Sequence, residues 1–325
     1  MPKAALSGNL QGALWIPASC LAATVMTVGV KIASDGLSSP QIVFVRCVLS
    51  LAMMAPFVIG SGKNVLFSRH WKKHLVRGAI GAISMNAGFY ALSNLPITTA
   101  SVLFFSTPLF MTALAGPMLG EKVGIHRWGA TLVGFAGIVV VVNPTLDTVE
   151  FAMLAALVSA VLFAVLLIQG QVLSKDDPPG TLMIYFMMMA TLASAPPALS
   201  DWVWPDQSLW IILTVLSVGA TARVYFDIKA YAVGEASAIS VFQYLRLITI
   251  AFAGYLVFGE VPDERTIIGA GLIVASTLYI AQREAFRQKR ARAAAKAPRE
   301  KAPMAEGMRL PMPSSWLTSV LWAAV

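Results

Sequence analysis

The chain has 325 residues, of which 57% are hydrophobic and 12% charged, with a formal net charge of +8 and a mean hydropathy of +0.73. Soluble domains carry about 25% charged residues, and half that value excludes a single water-soluble domain of this size. A membrane protein is the default reading. Cys20 and Cys47 both lie inside apolar runs, so neither a disulfide framework nor a CxxC zinc pattern can be built. Both read as small buried hydrophobes.

Only Lys3 precedes the first apolar run, which has no small-residue cleavage site and leads into further apolar runs. It reads as a retained first helix rather than a removed signal. About 20 apolar residues cross a hydrocarbon core of about 30 Å. Runs of this kind fall at 13–33, 41–60, 78–95, 99–119, 128–143, 151–172, 181–199, 209–228, 236–258 and 266–282. The breaks are short and rich in turn residues, such as SDGLSSP, LPITT, NPTLD, KDDPPG, SDWVWPDQS and GEVPDER.

Ten spans place the N-terminus, every second loop and the C-terminus on one side. That side holds 19 of the 24 Lys and Arg residues, while the opposite side holds Arg265 alone. Lys31, Arg46, Arg223 and Arg246 fall within spans or at their edges. The positive-inside rule then predicts cytoplasmic termini, and a count wrong by one span would destroy the asymmetry. The basic stretch after Arg283 reads as a topology anchor that meets anionic headgroups, not as a nucleic-acid site. The tail 284–325 is expected to be disordered, with SSWLTSVLWAAV too short to span.

Two segments share a pattern at a constant offset of 139. Ala91, Ser101, Val102, Gly120 and Glu121 meet Ala230, Ser240, Val241, Gly259 and Glu260. Five spans per half is an odd number, so the halves insert in opposite directions, as in secondary transporters with inverted repeats. The expected fold is an all-α integral membrane protein of ten transmembrane helices in two inverted five-helix repeats. The first repeat would occupy 1–145 and the second 146–283.

The segments IVFVRCVLSLAMMAP, FYALSNLP, FFSTPLFMTALAGPMLGE, GATLVGFAGIVVVVNP and FQYLRLITIAFAGYLVFGEVPDERTIIGAGLIVAS carry a resemblance. Over about residues 12–283 the chain resembles the EamA-type transporters of the drug/metabolite superfamily. The resemblance implies movement of a small organic metabolite, with members assigned to amino-acid export, S-adenosylmethionine uptake or riboflavin uptake. Members often carry a proline just before the aromatic that matches Tyr244. Here Ser240-Val241-Phe242-Gln243 stands instead, which removes that cause of a helix break.

An ionisable side chain deep in a span costs at least about 2.5–3.5 kcal/mol, so each one calls for an explanation. Arg46, at a position that recurs in the family, is expected either to contact an anionic group in a central cavity or to brace neighbouring helices. Gln243, Tyr244 and Arg246 could share a polar face suited to a planar or carboxylate-bearing ligand. Asn86, Phe89 and Tyr90 lie at i, i+3 and i+4, one helix face. Arg223 and Asp227 have ion-pair spacing, with proton coupling by Asp227 as the sharper alternative. Lys31 and Arg223 are near enough to span ends to snorkel.

Pro108, after Ser106-Thr107, is expected to kink span four. Glu121 and Glu260 would end helices at opposite faces in capping or gating roles. The glycines of GFAG and GAG suit close helix packing. His70, His74 and His126 fall in cytoplasmic loops, and neither HExxH nor a Walker A sequence is present. The expectation is therefore a secondary transporter with no catalytic residues, metal or cofactor, in the bacterial inner membrane. Its partners would be a small-molecule substrate and the bilayer, not nucleic acid, with a homodimer left open. Export of an amino acid or other metabolite comes first and uptake of riboflavin or S-adenosylmethionine second. A non-transporting scaffold or receptor is the reading of another class.

Overall fold

A computed structural model describes residues 8–61, 68–120, 124–143, 150–174, 176–233 and 242–296. Every regular element among them is an α-helix. In chain order these are α1 (Gly8–Ala33), α2 (Ser39–Ser61), α3 (Trp71–Asn94), α4 (Ile97–Phe104), α5 (Thr107–Leu119) and α6 (Ile125–Val142). There follow α7 (Phe151–Leu173), α8 (Pro179–Ser200), α9 (Gln207–Val233), α10 (Leu245–Phe258) and α11 (Glu264–Lys296).

Among the described residues, eight stretches are long and apolar enough to cross a membrane, with α4 and α5 together forming one of them, Ile97–Leu119. Two expected spans differ. The helix α3 has 24 residues but opens with Lys72, Lys73, His74 and Arg77, which lower its hydropathy. The helix α10 is apolar but has only 14 residues, and positions 234–241 before it lie outside the described residues. The chain is thus a multi-pass helical membrane protein.

Local chemistry sets the ends of these elements. Gly120 (φ 68°) and Gly259 (φ 66°) close α5 and α10 in the left-handed conformation that favours glycine. Asp206 accepts the Leu209 N–H at 2.8 Å and caps α9, and Asp263 accepts the Thr266 N–H at 3.0 Å and caps α11. In span four the break falls at Phe105–Ser106, and Pro108 sits in the first turn of the new helix α5. The Thr107 hydroxyl donates to the Phe104 carbonyl at 2.7 Å, satisfying an acceptor that the break frees. A matching break stands at Gln243–Tyr244, although no proline is there.

The helices pack in a recurring pattern. Helix α1 lies on α9 and α10, α3 lies on α7 and α8, α2 lies on α8 and α9, α5 lies on α7, and α4 lies on α10. Small residues permit the closest crossings. A Cβ at Gly219 would stand 2.9 Å from the Ala22 carbonyl oxygen, and one at Gly137 2.9 Å from the Gly269 carbonyl oxygen.

The chain divides into two units, residues 1–286 and 287–325. Within the tail expected from residue 284, α11 runs on to Lys296, and the rest of the tail lies outside the described residues. The last stretch of α11, REAFRQKRARAAAK, is built of strong helix formers.

Candidate functional site

The sequence places ionisable residues on α2, α9 and α10, and the packing of α9 and α10 on α1, with α2 against α9, brings most of them together. Asp227 on α9 is the centre. Its Oδ1 accepts from the Ser19 hydroxyl of α1 at 2.6 Å and from the Gln243 amide at 3.1 Å. Its Oδ2 stands 3.6 Å from Arg223 Nε, the expected i,i+4 pair. Gln243 passes the network on, since its Oε1 accepts from Arg246 Nη2 at 2.6 Å. Cys20 on α1 lies beside Arg246 and Asp227. One turn further, Thr24 of α1 donates to Thr249 of α10 at 2.8 Å. A carboxylate, an amide and a guanidinium joined in this order form a chain of charge-assisted hydrogen bonds, each member holding the next in place.

Arg46 approaches from α2. It is 7% exposed, and its Nη1 donates to the Met85 thioether at 3.0 Å. Its guanidinium carbon lies 5.8 Å from the Phe89 ring centre. Its charge is also close enough to Arg223 for the two to repel. One turn along α2, Ser50 accepts from Thr221 of α9 at 3.5 Å, so this face of α2 looks onto α9.

The break before α10 positions Tyr244. Its hydroxyl donates to the Thr277 hydroxyl of α11, and its ring packs on Phe105 at 5.4 Å. Phe105 sits at the break in span four, 139 residues before Tyr244, so the two breaks of the two halves face each other through aromatic rings.

Other expected residues stand elsewhere. Asn86, Phe89 and Tyr90 each meet a different neighbour. The Asn86 amide donates to Ser194 of α8 at 2.9 Å, Phe89 lies under Arg46, and Tyr90 packs edge-on to Phe151 of α7 at 5.6 Å. The i, i+3, i+4 face is wide enough to meet three neighbours. Glu260 accepts the Ile97 N–H at 2.9 Å and so caps α4 from the other half of the chain. Lys31 donates to the Ser93 and Leu95 carbonyls at 3.2 and 2.8 Å at the same end. Burial pushes the Glu260 carboxyl up, against the opposing Ile97 N–H and Lys31 charge. Glu121 lies outside the described residues.

At the far end of α3, His74 is not in a loop. It is buried in the first turn, with Nε2 2.8 Å from Asp177 Oδ2 and its ring stacked on Tyr185 at 5.0 Å. Ser68 also donates to Asp177 at 2.8 Å, and His70 stands 3.6 Å away. Burial pushes the Asp177 carboxyl up, but the His74 and Ser68 hydrogen bonds and the histidine charges outweigh it and hold it below the usual range. Sequence reasoning did not find this cluster, nor Ser19, Thr24, Thr249 and Thr277. Hydroxyls inside apolar helices carry little signal on their own, because each can bond to its own backbone.

Multiple spans around a half-buried, hydrogen-bonded ionisable network fit a polytopic membrane protein of the transporter class. The EamA-like transporter family model matches residues 10–143 and again 150–282, and the chain belongs to that family. It is 31% identical over 276 residues to the S-adenosylmethionine uptake transporter of Rickettsia prowazekii, covering 85% of this chain and 94% of the relative. It is 33% identical over 288 residues to the riboflavin transporter of Vibrio cholerae, covering 87% and 97%. It is 29% identical over 262 residues to the pseudopaline exporter of Pseudomonas aeruginosa, covering 80% and 92%. A solved crystal structure at 18% identity superposes with a TM-score of 0.59 over 84% of this chain and 98% of that one, a likeness of fold. The protein is a transporter of a small metabolite.

Proposed function

We propose a secondary transporter of the bacterial inner membrane, with ten spans in two inverted repeats (1–145 and 146–283) and both termini cytoplasmic. It moves its cargo by alternating access. The observation that carries this reading is the Asp227–Gln243–Arg246 network with Ser19 and Arg223, a polar site held between helices of both halves. Support for the inverted repeat comes from the packing. Exchanging α1, α2, α3 and α4–α5 for α7, α8, α9 and α10 maps the contacts α1·α9 and α3·α7 onto each other. The same exchange maps α2·α9 onto α3·α8, and α1·α10 onto α5·α7. The paired breaks at Phe105 and Tyr244, the paired caps Gly120 and Gly259, and the doubled family match agree with it.

Alternating access needs contacts that close each end in turn. Two contacts join the halves at opposite ends of α3, about 35 Å apart for a helix of 24 residues. Glu260 to Ile97 lies on the periplasmic side of the proposed topology, and His74 to Asp177 on the cytoplasmic side. Without an ATP-binding motif, the driving force is a gradient.

For cargo, the relatives named for S-adenosylmethionine uptake and for riboflavin favour uptake of a heteroaromatic metabolite over amino-acid export. Export remains as the second reading through the pseudopaline exporter. Growth rescue tests the choice. The gene expressed in a riboflavin auxotroph, or in a host unable to make S-adenosylmethionine, should restore growth on low concentrations of one of the two. Rescue of neither, together with no efflux of either, would return weight to a scaffold or receptor.

A further inference from the structure

The hydrogen bonds of the site leave a charge imbalance with a definite location. Among the described residues, Arg46 and Arg223 share the region with one carboxylate, Asp227. That carboxylate is already engaged by Ser19, Gln243 and Arg223. Arg46 is the residue the network does not reach. Its hydrogen-bond partner is a thioether, a weak acceptor, and its Nε is buried with no partner among the described residues. No carboxylate lies within ion-pair distance of it among those residues; its other polar neighbour is the Cys47 thiol, again sulfur, and the like charge of Arg223 acts against it. Bracing by backbone carbonyls would account for a buried arginine, as it does for Arg77, which donates to the Leu166 and Leu182 carbonyls. Arg46 has no such bond among the described residues.

A buried guanidinium whose described acceptors are sulfur atoms is a fold-destabilising arrangement unless an anion joins it. We propose that Arg46 is the subsite for an oxyanion of the cargo, a carboxylate or phosphate monoester held by its guanidinium. A guanidinium fork matches two oxygens of such a group in one plane. The Phe89 ring, 5.8 Å away, and the Met85 thioether flank the guanidinium with apolar groups. The substrate class is then a metabolite with an anionic or zwitterionic end, in preference to the same molecule without it. This rests on the transport reading above.

Matched probes test it on the full-length protein in lipid nanodiscs. S-adenosylmethionine is compared with its decarboxylated form, and flavin mononucleotide with riboflavin, by the shift each gives in the thermal midpoint. The first pair isolates a carboxylate and the second a phosphate. The expected result is a larger shift from the oxyanion-bearing member of at least one pair. In Arg46→Met that preference is lost, while the ligand-free midpoint equals or exceeds wild type because an unmatched buried charge has gone. Arg46→Lys, which keeps the charge but not the fork, should retain part of the preference. The proposal is overturned if neither pair discriminates in wild type, including by giving no shift at all. It is equally overturned if Arg46→Met lowers the ligand-free midpoint and keeps the preference. Vesicle flux of the same probes separates the two readings. Flux without discrimination leaves transport standing and removes the subsite, whereas discrimination in binding without flux removes transport alone.

Discussion

Replacing Glu260 by alanine removes the acceptor that caps α4 from the opposite half of the chain. The perturbation is well defined, because the N-cap position of α4 is Pro96, whose side chain offers no acceptor. Glu260 Oε2 takes the Ile97 N–H at 2.9 Å, and the Thr98 N–H also points to it. Both donors belong to the first turn, where no intrahelical partner exists. Loss of a cap costs about 0.5–2 kcal/mol, and a buried donor left unsatisfied costs about 1–3 kcal/mol. Glu260 is half-buried, so water recovers part of this, and a net loss of about 2 kcal/mol follows.

The sign for glutamine differs. Burial raises the Glu260 carboxyl above its ordinary value despite the N–H bonds and Lys31. The neutral form is therefore the better fit. Its stabilisation is fully present below the unfolded-state pKa and is lost as pH rises through the folded-state value. Thermal melts of purified protein followed by tryptophan fluorescence should rank Glu260→Gln level with or above wild type at pH 8. The two should converge near pH 4, and Glu260→Ala should lie below both throughout. An alanine variant as stable as wild type would refute the cap. A glutamine variant as damaged as alanine would refute the claim that acceptor geometry outweighs charge.

Asp177 carries the opposite sign. Its depressed folded-state pKa stabilises above the usual carboxylate value and is lost as pH falls through the folded value. Asp177→Asn should accordingly lower the melting midpoint at pH 7 and flatten the acid limb of the pH–stability curve. Gly269→Ala should destabilise by about 1–3 kcal/mol through overpacking, since its Cβ would meet the Gly137 carbonyl oxygen at 2.7 Å as well as Val141. Gly271→Ala, with nothing within 4 Å of the added carbon, should be neutral or gain up to about 1 kcal/mol from helix propensity. The same melts check the pair, and equal effects at the two glycines would contradict the packing. Asp227→Asn should weaken the hold on Arg223 and Gln243 and reduce cargo binding in an equilibrium titration while leaving the fold intact. Unchanged affinity would separate the network from the site.

The apolar runs were legible because membrane spans announce themselves by length and composition, and each expected run overlaps a helix. The start of α3 at Trp71 rather than near 78 was not, because Lys72, Lys73 and Arg77 read as loop by composition. The break before α10 survives without the expected proline. There the Tyr244 hydroxyl and the Phe105 ring hold the turn through contacts that no local sequence signal reports. The Arg223–Asp227 pair followed from helical spacing alone. The Asp227–Gln243 and Asp227–Ser19 bonds did not, since they depend on α1, α9 and α10 meeting, as does the Asp177–His74 pair across 103 residues. The split of Asn86, Phe89 and Tyr90 among three neighbours shows the same limit. Periodicity assigns a face but does not name the helices that the face will touch.

The most direct test is initial uptake of labelled S-adenosylmethionine and riboflavin into proteoliposomes, comparing wild type with Gln243→Ala. Gln243 is the link between Asp227 and Arg246, and a site built on that network requires it. Saturable uptake of at least one compound is expected from wild type, with a loss of roughly tenfold or more in the variant, as follows when about 1.4 kcal/mol or more of interaction is removed. Uptake of neither compound above protein-free vesicles, or equal uptake by the two proteins, would contradict this expectation.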